Sequence, residues 1–298
     1  MINLTDQPRP EGTTTPVGTC PSGPGCIPAN TSGSIGAVSF FVDQDQPTGT
    51  GVFDPFLRIQ QHSANEISEQ GYNTSGGTPL QDKPPPGVWT RDLLMSSLLK
   101  EGGSYTFLLD IDEKKAQDNN LLSLDGVKLY AVNFTTSPTG DFVDGDGDWD
   151  IEFGTTSEAD GTPGSNEPEF ASYQLLWDMD ADGDNAVLLD SNREIPGSGG
   201  ALNPPGNGTM DMRMEVPDTI ITDTVVANYT YFILWSRFGL LDPPIGGAKS
   251  TDSFEEWAAR VCEDCGGAPP SSVPTPAPLA LLGMGIAYLG WRTRHSRT

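Results

Sequence analysis

Glycine and proline punctuate this sequence at close to one residue in five, with 35 of the first and 26 of the second among 298. Proline removes a backbone donor and clashes inside a helix, and glycine weakens helix and strand interiors alike. Long helices are therefore disfavoured, and what fits between the interruptions is a set of short strands. The runs themselves agree. Residues 35–42 (IGAVSFFV), 52–60 (VFDPFLRIQ), 104–111 (SYTFLLDI), 127–134 (VKLYAVNF), 173–177 (YQLLW), 186–189 (AVLL) and 229–238 (YTYFILWSRF) are rich in aromatic or β-branched side chains and are separated by turn formers. The fold class that follows is all-β, a β-sandwich with long loops. Trp149, Ile151 and Phe153 alternate with Asp148, Asp150 and Glu152, an inward face against an outward one. Other runs are apolar on both faces, which makes them central strands or strands covered by loops.

One short helix is expected near the C-terminal end of the domain. In STDSFEEWAARVC, Phe254, Trp257, Ala258 and Val261 follow helical spacing, and Ser253 with Glu256 fits a capping box. Residues 91–100 (RDLLMSSLLK) fit a helix or a strand edge. The organisation reads as a flexible Thr/Pro/Gly-rich arm over 1–34, a sandwich domain over 35–265, a Pro-rich linker over 266–278 and a tail over 279–298, with no internal repeat of fixed period.

The net charge of −25 argues against nucleic-acid binding, which needs clustered Lys and Arg. The tail has the opposite character. An uncharged apolar run over 279–291 is followed by Arg292, Arg294 and Arg297. At 13 residues the run falls short of the roughly 17–25 that span a bilayer. It reads as a transient stop in the membrane, with its arginines held on the cytoplasmic side.

Val273-Pro274-Thr275-Pro276-Ala277-Pro278-Leu279, then a small-residue-rich apolar segment, then an Arg cluster, resembles the PEP-CTERM sorting signal, with Thr275 where Glu is usual. Val273, Pro274, Pro276, Arg292 and Arg294 carry the likeness. The resemblance implies a bacterial protein exported to the cell surface or extracellular matrix and processed by an exosortase-type membrane peptidase, with exopolysaccharide as a partner. The core is also similar to an uncharacterised domain recurring in such proteins, through GVFDPFLRIQ (51–60), EQGYNT (69–74), YFILWSRFG (231–239) and SFEEWA (253–258). That likeness brings no catalytic residues. The N-terminal MINLTDQPRP is not a secretory signal, so an export signal is expected upstream or already removed.

Two segments concentrate carboxylates at alternate positions. One is Asp178-Met179-Asp180-Ala181-Asp182-Gly183-Asp184-Asn185, with Asp190 beyond it; the other runs through Asp144, Asp146, Asp148, Asp150 and Glu152. Two unit charges about 4 Å apart repel by about 1 kcal/mol even in water, so such bunching points to a cation. Ca²⁺ takes six to eight oxygens in irregular geometry. Asp178, Asp180 and Asp182 fall at positions 1, 3 and 5 of a D-x-D-x-D-G loop, with Gly183 at position 6, resembling the calcium loops of EF-hands, dockerins and thrombospondin type 3 repeats. Position 12 departs, being Leu189, and strand-like flanks argue for a calcium loop in a β-protein over a true EF-hand. The expected role of Ca²⁺ is structural. Asp43, Asp45, Asp110 and Asp112 repeat the alternation only in pairs, which are common at strand ends.

Cys20 and Cys26 lie close in sequence, as do Cys262 and Cys265, which suits an oxidising compartment with either two small-loop disulfides or one bridging the arm to the helix, three connectivities being open. A four-Cys zinc site is the alternative. Outside the tail His62 is the single histidine, and no nucleophile elbow, H-E-x-x-H or P-loop occurs. The reading is a non-enzymatic exported protein. A carbohydrate-binding module with Trp89, Trp149 or Trp235 as a sugar platform is the first alternative, and a glycoside hydrolase acting on matrix polysaccharide is the second.

Overall fold

The computed structural model describes residues 2–4, 9–10, 26–27, 32–42, 54–60, 69–75, 89–111, 121–134, 172–191, 210–239 and 254–262. In chain order the strands are β1 (Ile2–Asn3), β2 (Arg9–Pro10), β3 (Cys26–Ile27), β4 (Ser32–Ile35), β5 (Val38–Val42), β6 (Pro55–Gln60), β7 (Glu69–Tyr72) and β8 (Leu93–Leu94). They continue with β9 (Lys100–Glu101), β10 (Ser104–Ile111), β11 (Leu121–Asn133), β12 (Ser172–Asp178), β13 (Val187–Asp190), β14 (Met212–Pro217), β15 (Tyr231–Phe238) and β16 (Phe254–Ala259). One helix, α1 (Asp223–Asn228), precedes β15.

Two seven-stranded sheets face each other, as expected of a sandwich. The first runs β1-β13-β11-β15-β7, with β12 also on β11 and β8 also on β15. The second runs β4-β5-β14-β10-β16-β6, with β9 on β10; β2 and β3 pair separately. All pairs are antiparallel except β1 with β13. Residues from the stretch read as an arm take part: Ile2, Asn3 and Leu4 are buried, and Ser32–Ile35 forms β4.

Alternation sets the core. Phe232, Leu234 and Phe238 of β15 and Leu129 and Ala131 of β11 face the second sheet, where Phe107, Leu109, Met214 and Trp257 meet them. Phe107 stacks on Phe232 with centroids 5.0 Å apart. The Trp257 indole N–H donates to Ser236 Oγ at 3.0 Å, one polar tie between the sheets inside the apolar layer. The intervening residues Ile233 and Trp235, with Tyr72, Tyr130 and Val132, make a second buried cluster on the opposite face of the first sheet. Strands apolar on both faces are thus central, β11 and β15 above all.

The helix expected from STDSFEEWAARVC is a strand. Phe254–Ala259 is β16, paired on both sides with β10 and β6. Trp257 and Glu255 are fully buried on one face, while Glu256 lies 3.7 Å from Arg58 on the other, so it caps no helix. Two ladders of backbone bonds outweigh a helical apolar spacing only eight residues long, from Phe254 to Val261. Among the described residues the helix that does form is α1, capped by Thr222, whose Oγ1 accepts from the Val225 amide at 3.2 Å. Residues 91–100 resolve into β8, a 3₁₀ turn at Met95–Ser97 and the start of β9.

The strands flanking the β11–β15 pair are each broken. β12 and β13 lie end to end along β11, with Lys128 opposite Asp178 and Leu124 opposite Val187. Three residues of β11 (125–127) therefore face eight of the other line (179–186). β7 and β8 lie end to end along β15 in the same way, with Trp235 opposite Tyr72 and Phe232 opposite Leu93. Asn73 fills that gap. Its Nδ2 donates to the Phe232 carbonyl at 2.9 Å and its Oδ1 accepts from the Leu234 amide at 2.7 Å, so a side chain stands in for a strand residue. Across the neck of the excursion Ser75 and Asp92 exchange two bonds, at 3.0 and 2.9 Å.

Candidate functional site

The excursion between β12 and β13 is the acidic segment 178–185. Its path is fixed by the chain's own bonds. The Met179 amide donates to the Val127 carbonyl at 2.9 Å, which extends the ladder by one rung. Asp178 Oδ1 then accepts from the Asp180 amide at 2.9 Å, and Asp180 Oδ1 accepts from the Asn185 amide at 2.8 Å. The Asn185 side chain donates to the Met179 and Gly183 carbonyls at 2.9 and 2.8 Å, closing the loop on itself. Gly183 has φ 135°, a backbone conformation that a Cβ would strain, which is why glycine stands at that turn.

Asp182 and Asp184 are exposed, and Asp178 and Asp180 are half-buried. Burial pushes the Asp180 carboxyl above its ordinary range, and the Asp178 and Asp184 charges add to this. The Asn185 amide and the Arg237 guanidinium act in the opposite direction. Lys128 Nζ lies 3.9 Å from Asp178 Oδ2, in a pair largely shielded from solvent. Lys128 and Arg237 each sit 5.7 Å from the centroid of the same ring, that of Trp235.

Asp178, Asp180, Asp182 and Asp184 are thus brought into one loop. Asp190 is not: it is buried at the end of β13, opposite Leu121, and Leu189 at the twelfth position is a core residue. The EF-hand path is therefore absent, because the chain returns to the sheet before reaching that position. Among the described residues no group of three or more His, Cys, Asp or Glu side chains is arranged to hold a metal ion. Asp144, Asp146, Asp148, Asp150 and Glu152 lie outside the described residues, as do Asp43, Asp45, Asp112, His62 and the sorting tail with Val273, Pro274, Pro276, Arg292 and Arg294. Asp110 is buried on β10. Among the described residues no helix is long and apolar enough to cross a membrane.

Cys262 is disulfide-bonded. Cys20, Cys265 and the side chain of Cys26 lie outside the described residues. A sulfur held in a disulfide is not a thiolate, so Cys262 in this state is no zinc ligand.

The sugar-platform candidates fare unequally. Trp235 is 1% exposed and cannot present a ring face. Trp89 is half-buried, with the Arg58 guanidinium 5.6 Å from its ring and 3.4 Å from that of Phe254. Trp149 lies outside the described residues. Sequence reasoning missed Lys128, Arg237 and Asn185; the one readable signal was Asn185 at the end of the D-x-D-x-D-G run. Compared with known proteins, the chain matches no family model, no curated protein and no solved structure.

Proposed function

We propose that this chain is a non-enzymatic, exported protein of the cell surface or extracellular matrix, built on a sandwich with a calcium-binding loop and carrying a tail cut by an exosortase-type peptidase. The observation that carries the calcium reading is a charge balance. Four carboxylates (Asp178, Asp180, Asp182 and Asp184) share one excursion with two neighbouring cations, Lys128 and Arg237, so two negative charges remain. One divalent ion neutralises them. Asp182 and Asp184, exposed on the loop, would have to turn toward it together with loop carbonyls, oxygen donors of the kind Ca²⁺ prefers. The disulfide at Cys262 supports an oxidising compartment. The tail's three-part order supports processing at the membrane.

Calcium sites of extracellular modules have Kd of about 10⁻⁴–10⁻³ M. Calcium at about 100 times Kd stabilises the folded state by about 2.7 kcal/mol. For a domain of this size that raises the melting midpoint by about 5–10 °C. Thermal unfolding in chelator and in excess calcium measures it, and coincident midpoints would refute the calcium reading. Intact-mass analysis of the protein from its native envelope tests the tail, and a C-terminus still ending in the Arg cluster would refute processing.

A further inference from the structure

The acidic loop hangs from the first sheet at a place where that sheet is cationic. Lys128 stands opposite Asp178 on one side and opposite Trp235 on the other, so a single register sets all three side by side. Arg237, two residues beyond Trp235, projects from the same face and lies opposite Gly126. A Cβ on Gly126 would come within 2.9 Å of Trp235 Cζ3, so the bare backbone there lets the indole lie flat on β11. The ring is fully buried, with two cations each 5.7 Å from its centroid. Cations placed this way are held by the ring quadrupole as well as by carboxylates, and lose little freedom when they pair.

We infer that Lys128, held beside Trp235 with Arg237 on the same face, is a charge clamp that keeps the 178–185 excursion folded in the absence of any metal. Lys128 fixes Asp178, whose other oxygen holds the Asp180 amide. Arg237 adds a second positive charge on the same face of the sheet and opposes the upward shift of the Asp180 carboxyl, whose Oδ1 holds the Asn185 amide. Lys128 thereby positions a carboxylate that in turn organises the backbone. This inference shares its loop with the calcium proposal and does not need the metal.

Hydrogen exchange read by mass spectrometry on the full chain, over peptides spanning 178–190, tests it. In chelator, Lys128→Gln and Arg237→Gln are expected to speed exchange of the loop amides about two- to fivefold, the range for partly exposed ion pairs. Peptides from β10 and β14 should stay unchanged, and Lys128→Arg should restore protection. Wild-type protein moved from low salt to about 1 M salt should show a smaller loss at the same amides, because a partly buried pair is screened less than an exposed one. That arm stands even if a variant fails to fold. Loop exchange that ignores both substitutions, or that ignores salt when the variants do not fold, would overturn the clamp. Calcium added to Lys128→Gln separates the two ideas: renewed protection supports both, and persistent fast exchange leaves the clamp standing while counting against the calcium reading.

Discussion

Replacing Asn73 by alanine removes the side chain that completes the broken line beside β15. Asn73 is 1% exposed, and the Phe232 and Leu234 residues it serves are fully buried. The substitution leaves a carbonyl and an amide without the partners they had, and water has no ready access. Each buried orphan costs about 1–3 kcal/mol, so the loss is about 2–6 kcal/mol. Set against a typical total of about 5–15 kcal/mol, this is a large share. With an m-value near 2 kcal/mol/M, the urea midpoint falls by about 1–3 M while m stays constant. Asn73→Asp discriminates further. It keeps the acceptor for the Leu234 amide but turns an oxygen toward the Phe232 carbonyl. Ionisation is then opposed, the folded-state pKa rises above the unfolded value of about 3.9, and the folded state binds the extra proton. The Asp variant is therefore weakest at neutral pH and recovers as the pH falls through that raised pKa, when its O–H can donate to Phe232. Equilibrium urea unfolding at several pH values measures both effects. A loss below about 1 kcal/mol for Asn73→Ala, or a pH-independent deficit for Asn73→Asp, would refute the reasoning.

Ser236→Ala is expected to destabilise by about 1–3 kcal/mol, because the Trp257 N–H loses its acceptor inside the core. In a cycle with Trp257→Phe, the double variant should lose about 0.5–1.5 kcal/mol less than the sum of the singles; additive losses would show that the tie contributes nothing. Asp180→Asn should stabilise the chelator-treated protein at neutral pH, since burial disfavours the charged carboxyl most and Asp178 and Asp184 add to it. Because the folded-state pKa is raised, wild type gains on acidification and its deficit relative to Asp180→Asn narrows; melting curves in which that deficit widens would contradict the sign.

Which parts of this molecule were readable beforehand follows from what a linear pattern can carry. Runs dense in aromatic and aliphatic residues between turn formers mark β10, β11 and β15, and where a run is apolar on both faces it is a central strand. The same argument failed at Phe254, Trp257, Ala258 and Val261, where a short stretch satisfies helical and extended spacing together and the partners β10 and β6 decide. The four aspartates of the acidic loop were legible because alternation with Gly183 is local. Lys128, Arg237 and Trp235 were not, since they reach the loop through cross-strand register, and nothing near Lys128 in the chain reports that Asp178 lies opposite. The burial of Glu255 was hidden for the same reason: its neighbours Ile59 and Ile111 come from other strands.

The two broken lines of the first sheet carry a consequence for how such a chain can vary. Each excursion departs from and rejoins one hydrogen-bonded row, and each neck is closed by side chains instead of by the excursion's length. Residues can then be added or removed beyond Ser75 and Asp92, or between Asp180 and Asn185, without shifting the alignment of β11 on β15. Loop lengthening of this kind costs only slowly rising closure entropy. The sandwich offers two sites at which new peptide, and with it new recognition chemistry, can be inserted while the framework keeps its pairing.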